Sequence, residues 1–230
     1  MFEVTPVETE ALLLSLRVAF WAVLVSLPFG VLVALVLSRT EFPGKSLFNG
    51  LVHLPLVVPP VVVGLILLYL LGRNGPLGAF LHDVLGITVI FTWKGAAVAS
   101  AVMAFPLMVR AIRLSLDNVD RGLESAARTL GAGRIRTFAT ITLPLILPGI
   151  LTGVVLAFAR SLGEFGATIT FVSNIPGETR TLPLAVYTQL QIPGGEGGAV
   201  RLAVISVVLA LAALALSEAL ARRYGRMGAD

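Results

Sequence analysis

Long apolar runs separated by short charged stretches set the pattern of this chain. Residues Val18–Ser38 form 21 uncharged positions in a row, bracketed by Arg17 and Arg39. A helix of about 20 apolar residues is long enough to cross a bilayer. On that measure the sequence predicts five spans, at about residues 11–37, 52–71, 93–112, 145–171 and 202–220. Nothing between Lys45 and Arg73 is charged if His53 is neutral. The third run has only 15 uncharged residues between Lys94 and Arg110, so its basic stems must snorkel toward the headgroups. Arg160 and Glu164 interrupt the fourth run, and Arg201 with Arg222, Arg223 and Arg226 brackets the fifth.

The runs hold Pro28, Pro55, Pro59, Pro60, Pro106 and Pro148. Proline costs about 3 kcal/mol inside a soluble helix. Within lipid, neighbouring helices can satisfy the carbonyls it frees. A membrane strand would alternate polar and apolar over about ten residues, whereas these runs are apolar on every face. The predicted fold is therefore all-α: one polytopic helix bundle over residues 1–230 with five transmembrane helices.

Composition sharpens this picture. The chain is 57% hydrophobic and 13% charged, with a mean hydropathy of +0.94. Soluble domains hold roughly 25% charged residues, and a soluble globule could not hide so much apolar surface. The absence of cysteine excludes disulfides and thiolate metal sites. A net charge of +4 would suggest nucleic acid in a soluble protein, but here the cations flank the apolar runs and set topology. With the loop 117–144 placed in the cytoplasm, 11 cations fall inside and 4 outside, Arg17 and Arg160 lying within spans. The expected arrangement is a multi-pass protein of the bacterial inner membrane, N-terminus outside and C-terminus inside. Glu3, Glu8 and Glu10 near the start argue against a cleavable leader.

The loop 117–144 carries the most information. Leu123, Ala126, Ala127 and Leu130 fall on one face at helical spacing. Gly131 and Gly133 end that helix over about Arg121–Leu130, and a second amphipathic turn runs Arg134–Ile141 before Leu143-Pro144. A stiff helix of small residues suits docking into a partner's groove.

At these residues the chain resembles the permeases of ABC importers. Their cytoplasmic loop reads Glu-Ala-Ala, three residues, Gly, nine residues, Ile-x-Leu-Pro. Here Ser125-Ala126-Ala127 precede Gly131 at that spacing, and Ile141, Thr142, Leu143 and Pro144 follow. Ser125 stands where the motif has Glu, and Glu124 lies one position earlier. The resemblance implies the type I importer permease fold, with Glu124, Ser125, Ala126, Ala127, Thr129, Leu130, Gly131, Ile141, Leu143 and Pro144 coupling to an ATPase. It further implies a homodimer, two ATPase subunits on the inner face and a periplasmic or tethered oxyanion-binding protein outside. On that reading the chain is a non-catalytic subunit that binds no cofactor, with ATP and Mg held by the partner ATPase.

Further segments look like the molybdate-transport permeases: FPGK at Phe42–Lys45, LPLVVPPVVVG at Leu54–Gly64, FPLMVRAIR at Phe105–Arg113, Ala159–Thr181 and PGGE at Pro193–Glu196. They imply molybdate as cargo, with tungstate expected as an alternative ligand. Sulfate or thiosulfate permeases are the related alternative, since molybdate and sulfate are both tetrahedral dianions. A secondary transporter would show paired half-repeats, and an enzyme would show a catalytic cluster; neither pattern is visible.

Arg160 and Glu164 are four apart, which places them on one helix face. Charges within spans usually face the bundle or a cavity. Two readings stand: an intrahelical ion pair that stabilises the bundle, or an Arg160 that lines the anion path or gate. Gly44-Lys45-Ser46 resembles the end of a phosphate-binding loop, but Arg39 occupies the required first glycine position. His53 and His82 are 29 positions apart with no acidic or cysteine cluster around them, so no metal site is expected. Ser15, Ser26, Ser100 and Ser206 are expected to bond helix carbonyls or join interhelix contacts. Thr179–Leu190 is compatible with a short surface helix, with plain loop and, if it enters the membrane, with a sixth crossing.

Overall fold

A computed structural model describes residues 5–226. Glu3 lies outside that range, and the side chains of Arg222, Arg223 and Arg226 are also outside the described set. Among the described residues the chain forms eleven α-helices and no strands.

α1 spans Pro6–Arg39, 34 residues, starting before the apolar run because a capping box nucleates it. Glu8 N donates to Thr5 Oγ1 at 3.3 Å, and Thr5 N donates to Glu8 Oε2 at 2.8 Å. Pro6 fills a first-turn position, where a missing N–H costs nothing.

The second apolar run is not one straight helix. α2 (Lys45–His53) passes through a 3-10 turn (Leu54–Leu56) to α3 (Pro60–Leu71). The two arms, Lys45–Leu56 and Pro60–Leu71, meet at a bend of 110°. Pro59 and Pro60 have no N–H to give the carbonyls of Pro55 and Leu56, so the helix must end and restart. Val62 and Val63 then donate to Pro59 O at 2.9 and 3.2 Å. α4 (Pro76–Leu85) follows, with Pro76 in its first turn and Gly86 at φ 65° closing it.

α5 (Trp93–Asp117) is the central post, packed against α1, α8 (Leu143–Leu162) and α9 (Gly166–Val172). Its buried face is rich in small residues, including Gly95, Ala96, Ala97, Ala99, Ser100 and Ala104. Small residues let helix backbones approach closely where lipid supplies no hydrophobic drive between helices. A Cβ on Gly64 of α3 would sit 2.6 Å from the Ala167 carbonyl oxygen of α9. That contact makes α3 and α9 neighbours.

The fourth apolar run also breaks. α8 ends at Leu162 and α9 begins at Gly166. α10 (Leu182–Leu190) resolves the open reading of that segment: it is a helix, with Leu182, Leu184 and Ala185 buried. Leu182 N donates to Ser15 Oγ at 2.7 Å, tying α10 to α1. α11 (Glu196–Arg226) starts within the glycine-rich turn and packs on α8 and α10.

Among the described residues, four helical stretches are long and apolar enough to cross a membrane: Pro6–Arg39, Trp93–Asp117, Arg134–Leu162 and Glu196–Leu216. The bent α2–α3 pair brings the number to five if its arms form one span.

Candidate functional site

The segment between α5 and α8 holds α6 (Arg121–Thr129) and α7 (Arg134–Thr137), then a π-helical turn over Phe138–Thr142. Asp120 caps α6 by accepting from Gly122 N at 2.8 Å. Gly131, at φ 89°, ends it. Gly131 N donates to Arg128 O and Ala132 N to Ala127 O, both at 3.0 Å, the paired bonds of a Schellman cap. The π turn runs directly into α8, whose first turn carries Pro144.

α6 has no buried residue. Leu123 is 49% exposed, Leu130 89% and, on α7, Ile135 85%. Ser125, Ala126, Thr129 and Gly131 are exposed beside them and Ala127 is half-buried. The hydroxyls of Ser125 and Thr129 bond the backbone at Arg121 O (3.0 Å) and Ala126 O (2.7 Å). Leu123, Ala126, Ala127 and Leu130 share one side at helical spacing, while Arg121, Ser125 and Arg128 lie on the other.

The ten residues assigned to coupling do not share one surface. Glu124 turns inward, away from the Ala126–Leu130 face, and meets Arg39 of α1 at 3.0 Å and Thr142 at 2.8 Å. Ile141 is half-buried, while Leu143 and Pro144 are exposed at the start of α8. Thr142 is buried and pairs with Glu124, a role the spacing did not reveal because the motif leaves that position unspecified.

Arg160 and Glu164 do meet, Nη1 to Oε2 at 2.7 Å. The pair does not lie within one helix as the spacing implied. Glu164 stands past the end of α8, in the break at Gly163–Phe165. Its other oxygen accepts from Ala167 N at 2.9 Å, satisfying a donor in the first turn of α9. One carboxylate thus joins two helix ends. Glu164 is 1% exposed at the side chain, whereas Arg160 keeps 29%.

The remaining candidates are locally occupied. His53 Nδ1 lies 2.9 Å from Asn49 O, and His82 lies 3.1 Å from Asp83. The Arg17 guanidinium stacks 3.8 Å above the Trp93 ring, whose centroid is 6.4 Å from that of Trp21.

Comparison with known proteins gives a consistent result. The chain is 65% identical over 218 residues, 95% of each chain, to the molybdenum transport system permease protein ModB of Escherichia coli strain K12. It is 58% identical to the corresponding Haemophilus influenzae protein over 94% of each chain. It is also 40% identical to the sulfate transport system permease protein CysW of Synechococcus elongatus, over 95% of this chain and 77% of that one. Among solved structures, an inward-facing MetNI methionine ABC transporter matches at TM-score 0.68 and 18% identity, covering 94% of each chain. A bacterial alginate ABC importer matches at TM-score 0.71 and 19% identity, covering 95% of this chain and 80% of that one. These structures establish the fold. The long apolar helices and a family model matched over residues 26–226 identify the chain as a member of the binding-protein-dependent transport system inner membrane components.

Proposed function

We propose that this chain is the membrane-crossing subunit of an ATP-driven importer that takes up molybdate. The observation that carries the reading is the 65% identity, along 95% of the chain, to a permease named for molybdenum transport. The chain itself hydrolyses nothing in this scheme; it binds no cofactor, and a separate ATPase holds ATP and Mg. Two copies form the path, two ATPases dock from the cytoplasm and a binding protein delivers the anion from outside. The N-terminus lies outside and the C-terminus inside, which puts α6 in the cytoplasm.

Ala126, Ala127, Leu130 and Gly131 present the docking face to the ATPase. The apolar exposure of Leu123, Leu130 and Ile135, on the same segment as the Ala126-Ala127-x3-Gly131 spacing, supports this. ATP binding draws the two α6 helices together and tips the spans between inward-open and outward-open arrangements. A loaded binding protein shifts that equilibrium only through its unequal affinity for the two states. Arg160, with its guanidinium partly open, offers a positive charge to a passing dianion while Glu164 holds it in place.

Sulfate is the second reading, supported by the 40% identity to a sulfate permease. The test is co-purification with an ATPase, followed by ATP hydrolysis with molybdate- or sulfate-loaded binding protein. Stimulation by the molybdate-loaded protein alone is expected. Stimulation by sulfate alone would transfer the assignment, and uptake driven by a proton gradient without ATP would overturn it.

A further inference from the structure

Three elements converge on one carboxylate at the end of α1. Glu124 Oε1 accepts from Arg39 Nη2 at 3.0 Å and from Thr142 Oγ1 at 2.8 Å. Arg39 is the last residue of α1, Glu124 lies within α6, and Thr142 ends the π turn that leads into α8. The side chains of Arg39 and Glu124 are only 17% and 14% exposed, so the pair is screened far less than a surface pair. Beside it, Ser38 Oγ donates to Asp117 Oδ1 at 2.5 Å, and Arg121 Nη2 donates to Ser38 O at 3.2 Å.

Besides the Glu124 bonds, α6 is held to the spans by the Arg121–Ser38 bond and by the short Asn118–Asp120 link to α5. None of its residues is buried, and Gly131 and Gly133 follow it. Glycine backbone is the most permissive in the chain and transmits a push poorly. A load applied at Ala126–Leu130 therefore reaches α5 along the short Asn118–Asp120 link, and reaches α1 and α8 sideways, chiefly through the Glu124 carboxylate. Arg39 Nε is buried without an acceptor, leaving the guanidinium a second donor as α6 shifts.

We propose that Glu124 is a positioning residue that carries the movement of α6 to α1 through Arg39 and to α8 through Thr142. The inference rests on the importer reading above. It assigns the carboxylate a role inside the protomer, on a flank of α6 about a third of a turn from the docking face. Coupling then depends on a contact with defined partners rather than on proximity alone.

The test uses the full permease–ATPase complex in liposomes with molybdate-loaded binding protein, and reads molybdate imported per ATP hydrolysed. Glu124→Gln should leave hydrolysis within about twofold and cut that ratio by about tenfold, the scale of one hydrogen bond to a charged group. Arg39→Gln should match it, and the double variant should be no worse than either single, since both remove one link. Thr142→Val removes the second link and should lower the ratio while leaving the ion pair. A purely structural role would lower complex yield, hydrolysis and uptake together and leave the ratio unmoved. An unmoved ratio in Glu124→Gln and Thr142→Val would overturn the proposal, as would additive losses in the double variant. If Glu124→Gln fails to assemble, Thr142→Val alone decides, its lowered or unmoved ratio supporting or overturning the proposal. Failure of the unaltered complex to couple ATP to uptake would instead defeat the importer reading.

Discussion

Arg201 of α11 donates to one oxygen of Glu8 on α1 from both Nε, at 3.1 Å, and Nη2, at 2.9 Å. The Glu8 side chain is 1% exposed and that of Arg201 32%. Removing the cation strands a buried carboxylate that still accepts from Thr5 N. Arg201→Met should therefore lower stability by about 1–3 kcal/mol, after allowing for the partial exposure of the arginine. Thermal unfolding in detergent reads this as a lower midpoint, and adding Glu8→Gln should recover part of the loss. An unchanged midpoint in the single variant would contradict the role of the pair.

Gly64 sits where α3 and α9 touch. A Cβ there meets the Ala167 carbonyl oxygen at 2.6 Å and Thr170 Cβ at 2.8 Å. Both obstacles are backbone or stiff β-branched atoms that cannot swing aside. Gly64→Val should cost about 1–3 kcal/mol or more through overpacking, seen as reduced yield of monodisperse protein. Gly50, which has nothing within 4 Å of a Cβ, should accept alanine with no such loss.

Arg160→Gln should slow uptake in an assembled complex by about tenfold, if one charge-assisted contact with the anion is lost. Arg160→Lys should retain part of the rate, since a point charge persists without the planar fork. Full uptake by the glutamine variant would reject a pathway role and leave the ion pair a purely structural one.

Gly131 separates backbone from surface effects. No atom lies within 4 Å of a Cβ there, but the residue holds φ 89°. Asparagine tolerates that conformation and should preserve ATPase stimulation. Gly131→Asp should abolish stimulation by loaded binding protein while leaving membrane insertion normal. Leu130→Asp, at the exposed apolar residue that caps α6, should weaken ATPase co-purification without lowering permease yield. Stimulation retained in both aspartate variants would place docking elsewhere.

The apolar runs and the Ala126–Gly131 spacing were legible because each depends on local residue order. Uniform apolarity hid where the second and fourth runs break, since a bent helix and a straight one look alike when every face is greasy. Pro59 and Pro60 carried the first signal, and Gly163 the second. The partners of Glu124 could not be read at all: Arg39 is 85 positions away and Thr142 is 18, and only the folded bundle brings them together. α4 was also unforeseen, although Gly75-Pro76 marks its start in the manner of a helix N-terminus.

The corner between α2 and α3 has a bearing on hydration. α3 has 12 residues, about 18 Å of rise, well short of a hydrocarbon layer of about 30 Å. If the two arms make one crossing, their junction lies deep in the membrane, with the Pro55 and Leu56 carbonyls released from helical partners. Oil cannot solvate a bare peptide oxygen, so that elbow must be turned toward a second protomer or toward trapped water. Val57, 84% exposed at the corner, then marks the side of the bundle that lipid tails do not reach.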